Sequence, residues 1–276
     1  MTRDSSSVPA WTPSSLCGNP HTAADKPDRV RRMFAAIAPR YDLNNRLHSG
    51  FQDRRWRRVA VELAAIRPGD RVLDVACGTG DLAEAFVEGG AAAVLGVDFT
   101  AEMLERARRK ALRFDSARRP EYRLGDALHL EFPGASFDVV SIAFGIRNVS
   151  DPRRALEEFH RVLRPGGRLV VLEFSQPRSR VLRALNRVYT EHLMPVTAGL
   201  LARDRVGAYR YLPRSVATFA DHRALAGMIE AVGFEGIAQR SLAFGVCVAT
   251  VARRAAERTP PEGRGGADRD PAAGGA

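Results

Sequence analysis

Lysine is almost missing from this chain. Of 42 basic residues only Lys26 and Lys110 are lysines; arginine supplies the rest and carries the chain to a formal net charge of +10. Cysteine is scarce too. Cys17, Cys77 and Cys247 are odd in number and spaced for no metal site, which argues against a disulfide scaffold and for a reducing cytoplasm. No run of 18 apolar residues occurs, and the N-terminus shows no apolar stretch of signal-peptide length, so neither a membrane-spanning helix nor a secretory signal is expected.

What is present is enough for one large domain: 276 residues, 45% of them hydrophobic. Both ends are poor in residues that could be buried. Residues 1–28 are rich in Ser, Thr and Pro, and residues 255–276 in Pro, Gly and Ala, so both are expected to be disordered tails around a domain at 29–254. Each tail is slightly acidic, so the positive charge lies in the middle. That suits an anionic partner, whether nucleic acid, an anionic membrane or a nucleotide-like cofactor, and is equally what an arginine-biased composition produces.

Residues 29–38 read as a short amphipathic helix ended by Pro39, followed by a polar, aromatic stretch and a second helix over 55–66. Strands then alternate with helices: strands at 71–76, 92–98, 121–125, 137–143 and 168–174, and helices at about 80–88, 101–114 (with Thr100 as N-cap) and 151–163. This βαβ order implies an α/β fold, a mostly parallel seven-stranded sheet with helices on both faces. A helix over 178–194, a loop-rich segment through Tyr209, Tyr211 and Pro213, a helix over 221–232 and two last strands complete the chain, the final pair giving an antiparallel edge.

The strongest local signal is Asp74-Val75-Ala76-Cys77-Gly78-Thr79-Gly80-Asp81, a strand that ends in an acid and turns through two glycines into a helix. Glycine lets a ligand approach the backbone where a Cβ would collide, and ligands of open α/β sheets bind at the carboxyl ends of the strands. A dinucleotide site would have G-x-G-x-x-G here. This loop instead places Asp81 in the first helical turn, which repels a pyrophosphate and suits the cationic amino group and sulfonium of S-adenosylmethionine. Asp98 ends the second strand and can accept from ribose hydroxyls; Asp126, before Ala127, follows the third and can accept from an adenine amino group. No metal is expected.

These residues, together with YDLNNRLHSG, FGIRNVSDPRRAL, RVLRPGGRLVVLEFSQP and YRYLPRSVATF, resemble the ubiquinone/menaquinone biosynthesis C-methyltransferase family, a branch of the Rossmann-like class I methyltransferases, over about Val30–Val251. The resemblance implies cofactor contacts at Thr79, Asp98, Asp126 and Ala127. The family often has a Ser where this chain has Ala143, so one hydroxyl contact is missing, and residues 48–56 follow the family pattern only loosely. It implies methylation of a reduced quinone ring: demethylmenaquinol, or alternatively a methoxy-benzoquinol of ubiquinone synthesis. A homodimer is an expectation from the family alone.

The ring must be a quinol, because the oxidised quinone is itself electrophilic. Arg147 and Asn148 follow the fourth strand and are expected to face the cofactor; the family resemblance implies that they lie near the reacting oxygen, Arg147 stabilising a phenolate and Asn148 orienting the ring hydroxyl, and Arg147 serves otherwise as a salt-bridge partner. Tyr41 and Asp42 are expected in a helical lid that excludes water. His48 is a candidate proton acceptor, and Tyr209 and Tyr211 line the ring pocket or pack in the core. For the polyprenyl tail, residues 181–201 offer an apolar face with Leu182, Leu185, Tyr189, Leu193, Met194, Leu200 and Leu201, while Arg178, Arg180, Arg183 and Arg187 could meet anionic lipid at the inner face of the cell membrane. A nucleic-acid methyltransferase is disfavoured: the position of an Asn/Asp-Pro-Pro-aromatic motif reads AFGIRN, and no recognition element is visible.

Overall fold

Seven strands, β1 (Arg71–Val75), β2 (Ala93–Asp98), β3 (Glu121–Leu124), β4 (Phe137–Ala143), β5 (Leu163–Phe174), β6 (Phe234–Leu242) and β7 (Cys247–Arg254), form one sheet in the computed structural model, which describes residues 9–190 and 206–256. The spatial order is β3-β2-β1-β4-β5-β7-β6. β1 pairs in parallel with β2 and with β4, so Leu73 lies between Leu95 and Val140. β7 alone runs against its neighbours, inserted between β5 and β6. The antiparallel strand is thus the last in sequence, as expected, and lies one place in from the edge.

Alternation along the strands feeds two cores. Val72, Val139 and Val170 face one side of the sheet, where α3 (Asp53–Ala64), α4 (Asp81–Glu88) and α5 (Ala101–Ala111) bring Trp56, Phe86 and Leu104. Leu73, Val140 and Val171 face the other side, against Leu156 and Phe159 of α6 (Pro152–Val162) and Leu225 and Ile229 of α9 (His222–Ala231). Local chemistry starts α6 and α9: Asp151 accepts from Arg154 N–H at 3.0 Å ahead of Pro152, and Asp221 accepts from Arg223 and Ala224 N–H. Thr100 does not cap α5 through its side chain; Asp98 instead accepts from the Thr100 N–H at 2.8 Å.

A third apolar cluster corrects the expected N-terminal tail. Residues 9–28 dock through Trp11, which is 1% exposed: its backbone N–H donates to Val206 O at 3.0 Å, and its ring stacks on Tyr211 at 4.6 Å between centroids. With α1 (Lys26–Ile37) and α8 (Ala208–Thr218), the segment builds a cap from Trp11, Val30, Met33, Tyr209 and Tyr211. Composition averages hid this, because a single buried indole supplies the burial of several small side chains. Residues 1–8 of that tail and 257–276 of the other lie outside the described residues.

Two further stretches differ from expectation. The polar stretch after Pro39 is a helix, α2 (Tyr41–His48). The segment through Tyr209 and Pro213 is helix α8, with Pro213 inside it. Burial of Tyr209, Tyr211 and Ser215 outweighs the missing N–H, which shows how packing overrides local propensity. α7 is described over Arg180–Val188, and Leu193, Met194, Leu200 and Leu201 lie outside the described residues.

Candidate active site

Strand order reverses between β1 and β4, and the crevice beyond their carboxyl ends is where an open α/β sheet binds ligands. Two cavities open there. The smaller, about 110 Å³, is lined by Gly78, Asp98, Phe99, Met103, Asp126, Ala127, Ala143 and Asn148, with Pro27, Phe34 and Tyr41 of the cap over it. The larger, about 490 Å³, is lined by Tyr41, His48, Trp56, Arg147, Phe174, Tyr209 and Tyr211 and by Arg180, Arg183, Arg187 and Tyr189. Phe34, Tyr41 and Phe144 line both, so the two spaces meet there.

The loop after β1 alternates left-handed residues: Ala76 at φ 51°, Gly78 at 55° and Gly80 at 84°. A Cβ on Gly78 would meet nothing nearer than Tyr41 at 4.0 Å, so this residue faces open space under the lid. Its N–H donates to Asp98 Oδ2 at 2.8 Å. Two backbone donors thus hold the Asp98 carboxylate, one on each oxygen, at the cavity wall. Burial pushes the Asp98 pKa up and the backbone donors oppose it. An acid beside a glycine cradle and an apolar wall of Phe99 and Met103 fits the ribose and adenine of S-adenosylmethionine. Asp126, partly tied to the Leu128 N–H at 3.0 Å, lies farther along the same wall, and Ala143 lines it without a hydroxyl.

Three expected cofactor residues do not reach this cavity. The Asp74 carboxyl is buried behind the loop, where it accepts from Ser141 Oγ at 2.7 Å; burial pushes its pKa up to about 7, with the Ser141 bond opposing. Gly80 makes room for a neighbour: a Cβ there would lie 2.2 Å from the Tyr122 hydroxyl. Thr79 donates its hydroxyl proton to Asp42 of α2 at 2.5 Å, which ties the lid to the loop.

The loop after β4 holds the Arg-Asn pair. Phe144 is left-handed at φ 57°, and its carbonyl accepts from Arg147 Nη1 at 2.8 Å and from Asn148 Nδ2 at 3.0 Å. Arg147 also donates to Glu173 Oε1 at 2.5 Å, in a pair almost wholly removed from water. Burial pushes the Glu173 carboxyl up, and the guanidinium opposes that shift. Arg147 is therefore a salt-bridge partner and a wall of the larger cavity at once. Its proton is held by a carboxylate, which suits stabilising an anion and not abstracting a proton. His48 Nδ1 lies 2.8 Å from the Asn44 carbonyl, and its ring packs against Tyr209 at 5.1 Å.

Residues missed in the sequence complete the site. Lys26 is buried and donates to the carbonyls of Arg147 at 3.0 Å and Val149 at 2.6 Å; burial first, then Arg147, lower its pKa to about 8. Lys110 of α5 pairs with Asp42 at 3.3 Å and contacts Asp81. Both lysines of the chain therefore fasten the cap to the sheet domain, and their rarity was the signal. Glu173 had a signal too: a lone acid in the apolar strand RLVVLEF. Among the described residues no cluster of His, Cys, Asp and Glu could hold a metal ion, and no helix is long and apolar enough to cross a membrane.

Comparison with known proteins agrees with the fold and gives the family. A SAM-dependent methyltransferase structure from Thermotoga maritima superposes with a TM-score of 0.57 at 20% identity, covering 82% of this chain and 99% of that one, which is a likeness of fold. The ubiquinone/menaquinone biosynthesis C-methyltransferase of Geobacter sulfurreducens is 44% identical over 224 residues, 80% of this chain and 87% of the relative. The demethylmenaquinone methyltransferase of Thermus thermophilus is 49% identical over 225 residues, 80% of this chain and all of the relative. Residues 22–254, from just before α1 to the end of β7, match the ubiE/COQ5 methyltransferase family, and to that family the chain belongs.

Proposed function

We propose that the chain transfers a methyl group from S-adenosylmethionine to a ring carbon of reduced demethylmenaquinol, giving menaquinol. The observation that carries this reading is the meeting of a glycine- and Asp98-lined cavity with a larger, mostly apolar one at Phe34, Tyr41 and Phe144. When bound, the cofactor supplies an electrophilic methyl on a sulfonium. Gly78 and Asp98 hold its nucleoside end, and Tyr41 and Phe34 exclude water from the junction. Arg147, fixed by Glu173, stabilises the quinol oxygen as its proton passes to water, which makes the neighbouring ring carbon nucleophilic; once the methyl has left the sulfonium as the neutral thioether departs, the ring hydrogen at that carbon is lost to water as a proton and the oxygen is reprotonated, giving the methylated quinol. Fixing the two reactants at one junction supplies much of the acceleration.

The prenyl tail leaves through the mouth of the larger cavity, beside α7. Val181, Leu185 and Val188 of that helix stand exposed among Arg180, Arg183 and Arg187. Nearby, the β6–β7 turn packs on Pro177 and holds Phe244 left-handed and 84% exposed. We place an anionic bilayer against this face.

The test is transfer of labelled methyl to short-chain demethylmenaquinol and to the matching methoxy-benzoquinol under reducing conditions, then to long-chain substrate in anionic vesicles. The expected result is methylated naphthoquinol, with Val181→Glu/Leu185→Glu slowing only the vesicle-borne reaction. Transfer to neither quinol would sink the reading; equal slowing of both presentations would remove the bilayer from it. Preference for the benzoquinol would favour the role named for the Geobacter relative's ubiquinone branch.

A further inference from the structure

The carboxamide of Asn148 has two N–H groups and two lone pairs to place, and the fold disposes of half of them. One N–H goes to the Phe144 carbonyl at 3.0 Å. The amide oxygen accepts from the Tyr211 hydroxyl at 3.0 Å, in a contact shut off from water. A flipped amide would set its oxygen against the Phe144 carbonyl, two acceptors face to face, so this orientation is the one the surroundings allow. One N–H and one lone pair remain, and Asn148 lines the cofactor cavity close to Phe144, where the two cavities meet.

Tyr211 is itself held with care. Its ring is 1% exposed and stacks on Trp11 with 18° between planes, and the Arg29 guanidinium lies over the Trp11 ring at 5.4 Å from its centroid. Trp11 can sit there because Gly207, at the start of α8, has φ 81° and no Cβ; a Cβ would lie 2.2 Å from the Trp11 carbonyl oxygen. Burial raises the Tyr211 pKa to about 12, so its hydroxyl keeps its proton at neutral pH and acts as a donor. A donor on an amide oxygen draws electron density from the nitrogen and strengthens the remaining N–H as a donor in turn.

We propose that Tyr211 is a positioning residue for methyl transfer: through its bond to the Asn148 oxygen it aims and polarises the free Asn148 N–H toward the quinol oxygen that becomes negative. This rests on the quinol-methylation reading above. It makes Asn148 a donor to an oxyanion, and it gives the N-terminal segment around Trp11 a part in the rate.

The experiment is a double-mutant cycle in the full chain with short-chain demethylmenaquinol. Tyr211→Phe keeps the ring stack and removes only the hydroxyl. It is expected to lower kcat roughly tenfold, with KM for the quinol and the cofactor Kd within twofold of the parent. Asn148→Ala is expected to lower kcat on the order of a hundredfold, and adding Tyr211→Phe to it should change kcat by less than twofold, because the hydroxyl acts through the amide. Trp11→Leu loosens the same contact without touching the hydroxyl; it should lower kcat severalfold in the parent and not further in Asn148→Ala. The proposal is overturned if Tyr211→Phe turns over at the parent rate, or if its loss multiplies with that of Asn148→Ala, which would mean that Tyr211 acts on substrate directly. Should Tyr211→Phe fail to fold, the Trp11→Leu cycle decides by the same criterion. Absence of transfer by the parent chain refutes the quinol reading and is seen before any variant is made.

Discussion

Replacing Asp74 with Asn should make the protein more stable in mild alkali and not in acid. The Asp74 carboxyl is 1% exposed; one oxygen takes the Ser141 hydroxyl proton and the other has no partner. Burial moves its pKa from 3.8 to about 7. The unfolded chain releases this proton near pH 4 and the folded chain near pH 7, so between those values the folded state binds more protons, and raising the pH favours unfolding. A shift of about three units corresponds to roughly 4 kcal/mol as a ceiling above pH 8. Asparagine keeps the acceptor for Ser141 and cannot ionise, but it brings an NH₂ into a place without a partner, at about 1–2 kcal/mol. The net expectation is stabilisation by about 2 kcal/mol at pH 8.5 and almost no change at pH 5, where roughly 1.6 kcal/mol of the same ionisation penalty already offsets the amide's cost. Urea unfolding at the two pH values, read by tryptophan fluorescence, measures it. A difference between variant and parent that is the same at both pH values would refute the reasoning, because it would mean that the folded protein carries Asp74 ionised throughout.

Lys26→Met removes the ammonium shared by the Arg147 and Val149 carbonyls, and should cost about 1–3 kcal/mol, since two buried acceptors lose their donor; a melting temperature within 1 °C of the parent would show that water replaces it. Asp42→Asn weakens the lid's hold on Thr79 and Lys110, and the cofactor should dissociate about fivefold faster in stopped flow, as expected for about 1 kcal/mol of a partly buried pair. An unchanged dissociation rate would show that the lid opens elsewhere.

The parallel sheet was legible because its strands are short, apolar and bounded by Gly, Pro and Asp, and each is followed by a helix with one apolar face. The register of β1 between β2 and β4 then follows from connection handedness and burial. The cap was not legible in the same way. Its core comes from residues that lie almost two hundred positions apart, Trp11 on Tyr211 and His21 on the Ser215 carbonyl, and neither end shows a periodic pattern by itself. Tyr209 and Pro213 looked like a loop because proline speaks against a helix locally, while the partner that makes the helix worthwhile sits near the N-terminus.

The site divides along the same line. Gly78, Asp98, Asp126 and Ala127 stand at strand ends, where the chain's own order puts them at the cavity, and there they are. Asp74, Thr79 and Gly80 belong to the same motif, yet their neighbours are Ser141, Asp42 and Tyr122. A motif records which residues the turn needs and does not separate those that touch a ligand from those that keep the turn in shape. Arg147 and Asn148 show the converse. Their place after β4 was readable, but their chemistry was not, because it is set by what each one's remaining valences face. Glu173, two strands away from β1 across the sheet, pairs with the Arg147 guanidinium, and Tyr211, from the cap, donates to the Asn148 amide oxygen. The Arg147–Asn148 pair therefore takes its partners from both halves of the molecule, and a cap that docked a few tenths of an ångström differently would leave the same two residues in place with different hydrogen bonds.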